Sequence, residues 1–99
     1  MKNFESYIQG PLPVVVEFYA DWSDACNRMQ PVMEEVKEIA GSRAVTLRID
    51  IDKNENIARQ YGIYTVPDIA IFKDGSMIWH QNGIVAAHTI LDRLMLEMQ

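Results

Sequence analysis

The stretch Val14-Val15-Val16-Glu17-Phe18-Tyr19-Ala20-Asp21-Trp22-Ser23-Asp24-Ala25-Cys26 changes its periodicity half way along, and that change sets the fold. Its first seven residues form a near-continuous apolar, β-branched run, the pattern of a central strand covered on both faces. Asp21 to Asp24 read as a tight connection. From about Ala25 the apolar residues recur at helical spacing: Met29, Val32, Met33, Val36, Ile39 and Ala40, with Glu34, Glu35, Lys37 and Glu38 between them. Gly41 ends this helix in the C′ role, and Pro31 inside it predicts a kink.

Outward from that core, residues 3–9 read as a short helix closed by the Pro11 and Pro13 turn. Residues 44–51 alternate apolar and polar side chains and predict a second strand. Residues 54–61 predict a short helix stopped by Gly62. Residues 68–72 and 77–82 read as strands joined by the hairpin turn Lys73-Asp74-Gly75-Ser76. Residues 86–98 predict a terminal helix with Ile90, Leu91, Leu94, Met95 and Met98 facing inward. The order is α-β-α-β-α-β-β-α, an α/β arrangement in which the alternating part is parallel and the late hairpin antiparallel.

Length and composition bound the function. A chain of 99 residues is one domain, 1–99. A formal charge of −5 argues against nucleic acid or an anionic membrane as the main partner, since phosphate binding needs clustered Lys and Arg. No apolar run reaches the roughly 20 residues that span a bilayer. The opening MKNFESYIQG has no apolar core of a secretory signal, which points to the cytoplasm. There is 1 cysteine, Cys26, so no internal disulfide forms. His80 and His88 lie too far from it in sequence to suggest a metal site, and both read as surface residues. Trp79, on the late hairpin, reads as packing or as an exposed patch. Metal and cofactor are therefore not expected.

Taken in order, the pieces of the chain resemble thioredoxin. The likeness runs through Val15 to Cys26, then Pro31, Ile49-Asp50-Ile51-Asp52, Tyr61-Gly62-Ile63, Val66-Pro67, Phe72-Lys73-Asp74-Gly75 and Gly83. It implies the thioredoxin fold, here a central mixed sheet of four strands flanked by helices. The family's N-terminal strand is missing from this reading, which makes residues 44–51 an edge and suggests pairing of two copies through it.

The resemblance also implies a site. Thioredoxins carry C-G-P-C after the tryptophan; here the four residues are Ser23-Asp24-Ala25-Cys26. The first cysteine of such a motif attacks a substrate disulfide from a helix N-terminus, and the second resolves the mixed disulfide. Ser23 stands at the nucleophile position and Cys26 at the resolving one, so the chain is expected not to run the dithiol cycle. Ser23 also fits a plain helix N-cap, whatever its history. Two readings stay open. Ser23 replaces a catalytic cysteine in an otherwise intact oxidoreductase, or it belongs to a natural monothiol or non-catalytic binding module. Glu17 matches the buried acid beneath the site and Arg48 a basic neighbour, a pair that would relay a proton to or from Cys26 through water. Pro67 matches the cis-proline, and Val66 before it would pair with a substrate peptide like an added strand. Trp22 and Gly83 complete the substrate surface. Implied partners are protein disulfide substrates and, as electron donor, a thioredoxin reductase.

Overall fold

The switch in periodicity at residues 20–24 is the hinge on which the architecture turns. The computed structural model describes residues 3–98. The elements are α1 (Phe4–Ile8), β1 (Val14–Tyr19), α2 (Asp24–Ala40), a 3-10 turn (Gly41–Arg43), β2 (Val45–Asp50), α3 (Glu55–Gln60), β3 (Asp68–Lys73), β4 (Ser76–Asn82) and α4 (Ala87–Met95). The four strands form one sheet in the order β2-β1-β3-β4. β1 pairs parallel with β2 and antiparallel with β3; β3 pairs antiparallel with β4.

β1 is central and apolar because both of its faces are covered. Val15 packs with Ile69 and Ile71 against Met29, Met33 and Val36 of α2 and Ile90 and Leu94 of α4. Val14, Val16 and Phe18 pack with Ala70 and Phe72 against Phe4 and Ile8 of α1 and Ala58 of α3. Phe4, Tyr61 and Phe72 meet edge to face with centroids 5.0 to 5.8 Å apart. β2 is an edge strand, as the four-stranded reading expects, and its side chains are mostly half-buried.

Local chemistry explains the ends. Asn3 caps α1 by accepting the Ser6 N–H at 2.9 Å. α2 runs as a single helix through Pro31 and closes at Gly41, whose φ of 58° suits a residue without Cβ. Asp74 and Gly75 both take positive φ, the requirement of the tight hairpin turn.

One inward assignment fails: Met95 is 48 % exposed. Ile39, in the apolar stripe of α2, is 44 % exposed as well. α4 ends at Met95, and only four of its residues, Ala87, Ile90, Leu91 and Leu94, reach the core. Ile39 lies beside the buried stripe of α2 made by Met29, Met33, Val36 and Ala40. In both helices the apolar arc in the sequence is wider than the face the sheet covers. Trp79 is half-buried and packs against the α2 and α4 side of the core.

Candidate functional site

Four loops meet at one end of the sheet because the register brings them there. Phe18 of β1 lies opposite Asp68 of β3, and Asp68 opposite Asn82 of β4. Tyr19 lies opposite Asp50 of β2, and the Ile51 N–H donates to the Tyr19 carbonyl at 3.0 Å. The segments 20–23, 51–54, 62–67 and 83–86 therefore share one rim. Trp22, Ser23, Val66, Pro67 and Gly83 all lie on it.

Ser23 is the N-cap of α2. Its backbone is extended, with φ −95° and ψ 116°, and its Oγ accepts the Cys26 N–H at 3.2 Å. The side chains at 23 and 26 are thus neighbours on the first turn, with Asp24 adding a negative charge where the helix dipole favours one. Cys26 is 1 % exposed and Ser23 7 %. Cys26 is a free thiol.

Trp22 is 69 % exposed yet fixed in place. Its Nε1–H donates to Asp52 Oδ2 at 2.9 Å. The loop that carries Asp52 is in turn held by Asp50, whose Oδ1 accepts the Asp52 N–H at 2.8 Å and the Lys53 N–H at 3.3 Å. Across the rim, the Val66–Pro67 peptide bond is cis. Pro67 is buried and Val66 half-buried. The Pro67 carbonyl accepts the Gly83 N–H at 2.8 Å. Among the described residues, Val66 makes no backbone hydrogen bond through its own N–H or carbonyl. Tyr64 and Ile84, both well exposed, flank this edge and add apolar surface that the sequence reading did not single out.

Glu17 lies in the middle of β1 on the face that packs against α2, completely buried. Arg48, directly opposite on β2, donates through Nε to Glu17 Oε1 at 3.0 Å and lies over the Tyr19 ring at 3.8 Å. Among the described residues, Glu17 Oε2 has no hydrogen-bond partner. Desolvation pushes the Glu17 carboxyl above its ordinary value, and Arg48 offsets only part of that. A cavity of about 350 Å³, lined by Glu17, Gln30, Met33, Lys37, Thr46 and Arg48, adjoins the pair. No hydrogen bond joins Glu17 or Arg48 to Cys26 among the described residues.

One polar group on the rim escaped the sequence reading. Asp68, 3 % exposed, lies against His80 Nδ1 at 3.1 Å and beside Asn82. His80 is exposed, as its sequence context suggested, and meets Asp68 from the surface. The signal available in the sequence was an aspartate at the start of an otherwise apolar strand.

Comparison with known proteins agrees with this fold. A family model described as Thioredoxin matches residues 1–95. A thioredoxin from Rickettsia bellii is 36 % identical over 92 residues, covering 92 % of this chain and 88 % of that protein. A thioredoxin-like protein from Synechocystis sp. is 34 % identical over 95 residues, covering 95 % and 90 %. Among solved structures, a mutant thioredoxin from Halobacterium salinarum superposes with a TM-score of 0.86 at 27 % identity, covering 96 % of this chain and 82 % of that one. No helix among the described residues is long and apolar enough to cross a membrane.

Proposed function

The chain belongs to the thioredoxin family, and from that premise we propose that it docks protein thiols and disulfides at the rim while lacking the nucleophile of a dithiol oxidoreductase. The observation that carries this reading is the Ser23 hydroxyl at the N-cap of α2, 3.2 Å from the backbone N–H of the chain's single cysteine. A thiol at that place would sit among the free N–H groups and positive dipole end of a 17-residue helix, where thiolates are favoured. A serine hydroxyl cannot form a disulfide. Cys26 alone can accept a mixed disulfide but has no second thiol to resolve it.

The surrounding features support the docking half. Trp22 is held outward by Asp52, and the unpaired Val66 backbone is an edge to which an extended peptide adds as a strand. Glu17 and Arg48 are assigned the role of relaying a proton to or from Cys26 through water. A single-thiol chain fits a reducing compartment such as the cytoplasm. A dithiol form would draw electrons from a thioredoxin reductase. Self-association would use the β2 edge; a monomeric mass in light scattering at high concentration rules that out.

Insulin reduction with a small dithiol as electron source tests the reading. The chain as it stands is expected to give no turnover and Ser23→Cys to give turnover. Inactivity of both forms would favour a natural binding module, a reading that the fit of Ser23 to its capping role also supports.

A further inference from the structure

The polar group beside the Val66–Pro67 segment has a geometry that strand pairing alone does not need. β4 carries one extra residue near its turn, so the pairing shifts from Phe72↔Met77 to Ile71↔Trp79. Because of that bulge, Asn82 rather than Gln81 lies opposite Asp68. The Asn82 Nδ2 donates to the Thr65 carbonyl at 3.0 Å and to Thr65 Oγ1 at 2.7 Å. It also lies 3.4 Å from the Pro67 carbonyl and 3.5 Å from Asp68 Oδ2. An amide has two N–H groups, so the two short bonds use both.

We propose that Asn82 is a positioning residue for bound peptide, because its amide fixes the direction in which the Val66 N–H points. The inference rests on the docking reading above. The Thr65 carbonyl and the Val66 N–H belong to one planar trans peptide unit, in which they point in opposite directions. Pinning the carbonyl to Asn82 turns the Val66 N–H away from β4. The unit after Pro67 is pinned as well, by the Gly83 N–H. Val66 therefore sits between two fixed peptide planes with its own N–H and carbonyl unpaired. Asp68 backs Asn82, and His80 holds Asp68 through contacts of 3.1 and 3.4 Å to its two oxygens. Asn82 is exposed and Asp68 buried, so the bracket runs from the surface into the sheet.

The test uses Ser23→Cys/Cys26→Ser, which carries one thiol at the docking rim. That thiol attacks the peptide sulfur of a cysteine peptide carrying a thionitrobenzoate disulfide. A protein–peptide disulfide forms, the old sulfur–sulfur bond breaks, thionitrobenzoate leaves as the coloured thiolate, and the thiol proton goes to solvent. The same rate is measured with dithiobis(nitrobenzoate), which has no peptide backbone. The expected result is a faster reaction with the peptide in the background protein. Asn82→Ala and the isosteric Asn82→Asp then lower the peptide rate about tenfold, the size of one hydrogen bond, and leave the small-reagent rate unchanged. His80→Ala gives a smaller loss in the same direction. A change in thiol reactivity or general loosening of the fold would move both rates together and overturn the proposal. Full peptide preference in both Asn82 variants overturns the positioning role and leaves docking standing. No peptide preference in the background protein overturns docking and, with it, this inference.

Discussion

Two buried acids sit on opposite faces of the same sheet, and they are treated differently. Glu17, on the α2 side, has one bond from a half-exposed guanidinium and a second oxygen that no described residue meets. Asp68, on the α1 and α3 side, has His80 and Asn82 at its carboxylate. The under-bonded acid is the one pushed toward its protonated form. The well-bonded one is tied to the backbone that flanks Val66. A carboxylate buried with few hydrogen-bond donors around it is pushed toward its neutral form.

The largest effect is expected at Arg48. Arg48→Met leaves Glu17 buried without the partner it has among the described residues and is expected to cost about 3 kcal/mol at neutral pH, with a smaller loss in acid where Glu17 is protonated. Urea midpoints at the two pH values check this. Asp68→Ala is next, at about 2 kcal/mol, because it strips His80 of its acceptor and removes the buried side chain that backs Asn82; the same denaturation series measures it. Glu17→Gln is expected to stabilise the chain by about 1 kcal/mol at neutral pH. The sign follows from the raised carboxyl. The native chain keeps the Glu17 proton to higher pH than the unfolded chain does. The associated stability is complete below the ordinary value of 4.5 and is lost as pH rises through the native one. Melting temperatures across that window should fall for the parent and stay flatter for Glu17→Gln; parallel curves would show that Glu17 is not the group responsible. His80→Ala, removing a half-exposed partner, should cost only about 0.5 kcal/mol.

Most of the fold was legible in the sequence. The β-branched run 14–18, the helical stripe through Met29, Met33 and Val36, and the Asp74-Gly75 turn each carry a local physical signature. Ser23 as a cap and Glu17 as a buried acid opposite Arg48 followed from the same local patterns and the family likeness. Met95 and Ile39 did not follow, because periodicity marks an apolar face but not how much of it a neighbour covers. The Asp68, His80 and Asn82 group was illegible for another reason. A two-residue turn with regular pairing puts Gln81 opposite Asp68; the bulge shifts the partner by one residue and moves Asn82 onto the Asp68 face. A one-residue irregularity inside a hairpin leaves no mark in composition or spacing.

On the proposed reading, positions 23 and 26 are the two places of a redox pair, and one thiol is absent. Thiol counting on oxidised Ser23→Cys checks this. After treatment with glutathione disulfide and removal of small thiols, the denatured monomer should show no free thiol and no glutathione adduct, because the two sulfurs have closed on each other. Two persistent free thiols, or a stable glutathione adduct at the introduced cysteine beside an unreacted Cys26, would contradict the account.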